Sequence, residues 1–115
     1  MRLGGTGRSV LSDQTQTLRR HNCTPTDWSS EENEVTDYCL GVIVVRNAKT
    51  GEPVCYWHNG SVFGAEAWLG YFPQTQASLV ILLNGRDESG PGNLANEMAG
   101  SIETALPQLF RNATP

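Results

Sequence analysis

The sequence predicts an α+β fold: an antiparallel sheet of about four strands with a C-terminal helix packed on one face. Three observations carry this. Four apolar, β-branched or aromatic runs, at 38–45, 54–60, 66–72 and 78–83, are separated by short turns, and short connections join antiparallel neighbours. One stripe of Leu94, Met98, Ile102 and Leu106 recurs every fourth residue, the spacing of a single helix face. Residues 1–37 are polar and show little periodicity, so the sheet is expected in the remainder.

Taken in order, Gly4, Gly5 and Gly7 read as a loop. Ser12 can cap a short helix to about Arg20, with Leu11 and Leu18 as its apolar anchors. From His21 to Asp37 the segment HNCTPTDWSSEENEVTD is rich in Thr, Ser and acids and reads as a loop. The run Tyr38 to Val45, YCLGVIVV, is nearly continuous in apolarity, as in a strand covered on both faces. Arg46 to Pro53 is a turn by composition. Val54 to Gly60 is a second strand, and Glu66 to Phe72 a third that Pro73 ends. Ser78 to Leu83 is a fourth. A polar turn with Gly90-Pro91-Gly92 follows. Asn93 then caps a helix to Leu106, which Pro107 stops. The expected organisation is a loop and short helix over 1–37, then a sheet unit with its helix over 38–110. The helix covers one sheet face only. The other apolar face therefore asks for a cover from a missing domain or a second copy.

Composition narrows the function classes. The chain has 115 residues, enough for one small domain, and a formal net charge of −4. Its one lysine, Lys49, and seven scattered arginines form no basic patch, so nucleic acid is not an expected partner. The longest apolar run, Ala77 to Leu83, falls far short of the ~20 residues of a membrane span. Three cysteines, Cys23, Cys39 and Cys55, leave at least one free thiol. With no C-x-x-C and two histidines, no metal site and no cofactor is expected. Sequons stand at Asn22, Asn59 and Asn112. A glycan on Asn59 would sit within the Gly-rich stretch from Tyr56 to Gly85.

The stretch YWHNGSVFGAEAWLGYFPQTQASLVILLNG, Tyr56 to Gly85, reads as strand, Gly-rich corner, strand, turn, strand. Within it lie His58-Asn59-Gly60, Gly64, Tyr71-Phe72-Pro73 and an apolar strand from Leu79 ending at Asn84. This order resembles the third active-site motif and following strands of the serine β-lactamase and penicillin-binding-protein superfamily. The nearest branch is that of class C β-lactamases, D-Ala-D-Ala carboxypeptidases and related esterases. Tyr38-Cys39-Leu40-Gly41 is similar to the family's Tyr-Gly-Leu-Gly strand, with Cys39 where glycine is usual. LGGTGRSVLSDQTQTLRR, residues 3–20, resembles a helix near the end of the family's helical domain. The resemblance covers about residues 38–106 well.

The resemblance implies a partial β-lactamase-like fold, the C-terminal part of a serine hydrolase. Its whole form would act through an acyl-enzyme on a β-lactam, a D-Ala-D-Ala peptide or an ester. It assigns His58 to the basic residue near the scissile bond. The Ser61 backbone N–H would complete an oxyanion hole, and Asn59 and Gly60 would line the substrate groove. Asn59 replaces the more usual Thr, Ser or Gly. Two further motifs are absent. None of the eight serines has a lysine three residues on, so no Ser-x-x-Lys nucleophile is present. No Tyr-x-Asn or Ser-x-Asn occurs. The expectation is therefore a chain inactive alone, or a binding or structural module that kept the sheet without the chemistry. Lys49-Thr50-Gly51 looks like the family's lysine motif, but Asn47, Ala48, Glu52 and Pro53 around it make it a hairpin tip. A cysteine nucleophile paired with His58 is disfavoured, because Cys39 and Cys55 read as core residues and a buried thiol is inert.

Overall fold

The computed structural model describes residues 10–29, 31–85 and 93–111. The loop read at Gly4, Gly5 and Gly7, the polar turn over 86–92 and the sequon at Asn112 lie outside them. The chain forms α1 (Asp13–His21), β1 (Thr24–Pro25), β2 (Glu34–Tyr38), β3 (Ile43–Asn47), β4 (Pro53–Val62), β5 (Ala65–Phe72), β6 (Ala77–Leu83), α2 (Leu94–Ala105) and α3 (Pro107–Phe110). The six strands make one sheet in sequence order, every neighbouring pair antiparallel. The α+β class and the antiparallel meander agree with the sequence reading; the strand count does not.

The two extra strands have a physical origin. The run 38–45 is not one strand: Tyr38 ends β2, Ile43 begins β3, and between them the Cys39 N–H donates to the Val42 carbonyl at 2.8 Å. Gly41 sits at φ +68°, a conformation that glycine adopts at little cost. The run looked continuous because Cys39 and Val42, though in the turn, are buried beside Val44 and Tyr56. The polar segment 21–37, expected as loop, supplies β1 and β2. Thr36 is buried and its hydroxyl accepts from the Ser29 hydroxyl, so polar residues build this outer strand. Glu34 pairs with Arg111, which also binds Glu103 at 3.0 Å and so ties the end of α3 to β2 and α2.

α1 starts where read, with the Ser12 hydroxyl accepting from the Thr15 N–H at 3.2 Å. Its anchors differ: Leu11 and Leu18 are exposed and Gln16 is buried. The helix end is held by its carbonyls. Arg20 O accepts from the Arg46 guanidinium at 2.7 Å, and Arg19 O from the Leu40 N–H at 3.1 Å. A disulfide joins Cys23 to Cys39, pinning the segment after α1 to the β2–β3 turn. Closing a loop of this length contributes about 3 kcal/mol.

The main core lies between the sheet and α2. Val45, Cys55, Trp68, Phe72 and Ile81 meet Ala95, Ala99 and Phe110 there. Burial alternates strictly along β5, with Glu66, Trp68, Gly70 and Phe72 inward. Gly70 is required by packing: a Cβ there would lie 2.4 Å from the Trp68 ring. Trp57 stacks on Trp68 at 5.7 Å. The buried Glu66 carboxylate accepts from the Ala95 N–H at 3.2 Å, in the first turn of α2.

The face of α2 is a correction. Met98 was expected against the sheet and is 37% exposed; Leu94 and Leu106 are also exposed. The helix instead seats Ala95 and Ala99, fully buried, with Ile102 half-buried beside them. Residues four apart advance about 40° beyond a full turn, so a strict i, i+4 stripe spirals off one line. The line that meets the sheet is 95, 99 and 102. Its small residues let the helix axis approach β5 and β6.

Candidate functional site

β4 is the longest strand, and it outruns β3. The β3–β4 register ends at Ile43 opposite Trp57, because the chain before Ile43 turns back into β2. Residues His58 to Val62 therefore pair with β5 alone. Val62 and Ala65 flank the two-residue turn Phe63–Gly64 and so form a hydrogen-bonded pair. Alternation then aims the backbone groups of Gly60 and His58 at β5. It aims those of Asn59 and Ser61 at the side that β3 has vacated. No described strand fills that side. Gly60 and Ser61 are exposed, and a Cβ on Gly60 would meet no atom within 4 Å.

His58 stands at the head of this open edge and is half-buried. Its Nδ1 lies 2.6 Å from the Asn59 carbonyl, and its Nε2 lies 2.9 Å from the Tyr38 hydroxyl. A carbonyl only accepts, so Nδ1 carries the proton. In the neutral ring Nε2 then accepts from the Tyr38 O–H. The Tyr38 and His58 rings meet edge to face at 5.8 Å, and Trp28 meets Tyr38 likewise at 6.1 Å. The Cys23–Cys39 bridge holds the residue next to Tyr38, so the partner of His58 sits on a cross-linked turn.

The four residues singled out from sequence are contiguous, but they do not share one face. Strand alternation sends the Asn59 side chain to the α2 side, where its Nδ2 donates to Asn96 Oδ1 at 3.1 Å. Only its backbone belongs to the open edge, and its carbonyl is taken by His58. Tyr38 and Trp28 are additions that sequence reasoning did not place. Tyr38 lies 20 residues from His58, and only the β2–β3–β4 register brings the two together.

The remaining chemistry-bearing side chains sit apart. Lys49 is at the β3–β4 hairpin tip, where Asn47 Oδ1 accepts from the Lys49 and Thr50 N–H groups at 2.9 and 3.1 Å. That confirms the turn reading of Lys49-Thr50-Gly51. Cys55 is free and buried, and burial pushes its thiol well above the ordinary range. On the α2 side, burial raises the Glu103 carboxyl. Burial works against the Arg111 charge, and the carboxylates of Glu34 and Glu103 outweigh it, raising the guanidinium. A cleft beside α2, of about 200 Å³, is walled by Trp28, Trp57, Trp68, Cys55, Glu103 and Arg111, among others. Among the described residues no group of three His, Cys, Asp or Glu could hold a metal ion.

Compared with known proteins, the chain matches no family model, no curated protein and no solved structure.

Proposed function

We propose that this chain is the C-terminal segment of a β-lactamase-related serine hydrolase, and that residues 58–62 are the strand edge along which an acyl substrate lies. The observation that carries the reading is the vacated side of β4. An extended amide or acyl group laid there meets the Ser61 N–H, a donor of the kind an oxyanion hole uses. His58 lies on the same edge with a fixed tautomer. The motif order His58-Asn59-Gly60, Gly64, Phe72-Pro73 and Asn84 supports the family reading. The nucleophile has to come from outside residues 1–115, since no Ser-x-x-Lys is among them. In this reading the Ser61 N–H binds and orients, His58 gives acid–base help near the scissile bond, and neither is the nucleophile.

The open edge supports a second reading, a binding module that adds an extended peptide to β4 without chemistry. One titration tests both against neither. An N-acyl dipeptide amide is added to the labelled chain, and the backbone amides are followed by NMR. Shifts confined to Asn59, Ser61 and the His58 ring are expected. Shifts elsewhere, or none at millimolar ligand, reject the edge as a site. The two readings part on the coding sequence upstream of Met1: an in-frame Ser-x-x-Lys there selects the hydrolase.

A further inference from the structure

The two edges of the sheet are built differently. The β1 edge is two residues long and contains Pro25, a device that blunts strand pairing. The β6 edge is Ala77-Ser78-Leu79-Val80-Ile81-Leu82-Leu83: seven residues with no charge, no proline and no glycine. Edge strands of this composition pair with another strand when one is in reach.

The register fixes which groups are open. Val62 and Ala65 are a hydrogen-bonded pair, so β5 turns Ala65, Ala67, Leu69 and Tyr71 toward β4. It turns Glu66, Trp68, Gly70 and Phe72 toward β6, opposite Leu83, Ile81, Leu79 and Ala77. The N–H and C=O of Ser78, Val80 and Leu82 therefore point outward, with no described strand beyond them. Their side chains lie on the sheet face away from α2, with Val80 59% and Leu82 76% exposed. The alternate residues Leu79, Ile81 and Leu83 are spent in the core under α2.

We infer that β6 pairs antiparallel with β6 of a second copy of this chain, about a two-fold axis at Val80. That register sets Val80 opposite the partner's Val80, and Ser78 opposite the partner's Leu82. Every outward N–H and C=O on the two edges then has a partner. The segment is self-complementary because it carries no charge, so pairing brings no like charges together. It also closes at two copies. Once both β6 edges are used, the outer edges of the joined sheet are both β1, short and holding Pro25. The inference does not rest on the hydrolase reading.

Sedimentation and amide exchange of the intact chain, over a concentration series to about 1 mM, test it. The expected result is a monomer–dimer equilibrium. Protection of the Ser78, Val80 and Leu82 amides should rise with concentration, while Leu79, Ile81 and Leu83 stay protected throughout. Val80→Lys sets two ammonium groups opposite each other on an already exposed face and should weaken the dimer about tenfold or more. Val80→Pro removes an outward N–H without touching the β5 ladder and should leave monomer. If that variant misfolds, Val80→Lys decides alone. A monomer at every concentration, assembly growing past two copies, or a dimer indifferent to Val80→Lys overturns the inference.

Discussion

At the scale of single residues, the site side of β4 is governed by one histidine whose hydrogen bonds leave no choice of tautomer. Asn59 offers a carbonyl to Nδ1, so Nε2 faces Tyr38 as an acceptor. A ring held this way keeps one orientation and one tautomer, with its Nε2 lone pair engaged by the Tyr38 hydroxyl. Cys55 is the counter-example: a thiol two residues from Trp57 on the same strand, but sunk in the core and pushed away from its thiolate. Its raised value has a consequence for stability. The unfolded thiol ionises above roughly pH 8.5, while the folded one stays protonated. The unfolded chain then binds fewer protons, so this contribution is full below that pH and falls as pH rises above it. The slope approaches about 1.4 kcal/mol per pH unit. Urea unfolding of the wild type and of Cys55→Ala between pH 8 and 10 should show the difference narrowing as pH rises. Parallel curves would mean the thiol ionises in the folded chain. A thiol reagent should label Cys55 only after denaturation.

At the scale of elements, local pattern was enough where residues face one environment each. β4, β5 and β6 are legible as apolar or aromatic runs bounded by the Gly-rich corner and by Pro73, and the caps Ser12 and Asn93 place two helix starts. Reading failed where burial crosses element boundaries. Cys39 and Val42 are turn residues that are buried because a disulfide and Tyr56 lie over them, so the chain looked like one strand. β2 is polar because its inward residue, Thr36, finds a hydroxyl partner, which composition cannot announce. The face of α2 was misread because large apolar residues outweighed small ones. Contact with the sheet is made by Ala95 and Ala99, and Met98 faces out. Two substitutions separate these readings. Ala99→Leu should overpack the contact with β5 and β6 and cost about 1–3 kcal/mol. Met98→Ala should cost less than that, since Met98 is 37% exposed and lies outside the core that Ala95 and Ala99 join. Denaturation midpoints decide, and the reverse order would put Met98 back against the sheet.

At the scale of the whole molecule, the chain is a sheet with one finished face and several unfinished borders. α2 closes one side. α1 and the Cys23–Cys39 bridge close part of the other, near β3 and β4. Val80 and Leu82, the Asn59 N–H and the backbone of Ser61 face no described strand. In the segment reading, the Ser-x-x-Lys that forms the acyl-enzyme is not among residues 1–115. The chain alone should therefore not hydrolyse a chromogenic cephalosporin or a nitrophenyl ester above the buffer rate. Turnover that co-purifies with it and labels one of its residues would defeat the segment reading. In a longer protein that carries this segment together with Ser-x-x-Lys, two basic residues compete for the third-motif role. His58 is at the open end of β4. Lys49 is at the hairpin beyond the other end, and Pro53 alone is roughly 17 Å along the strand from His58. His58→Ala should slow acylation by roughly a hundredfold or more, the scale of one acid–base group. Lys49→Ala should leave it nearly unchanged, because its ammonium cannot reach the vacated side of β4. Equal losses, or a larger loss at Lys49, would move the site to the hairpin and remove the reason for assigning residues 58–62 to substrate.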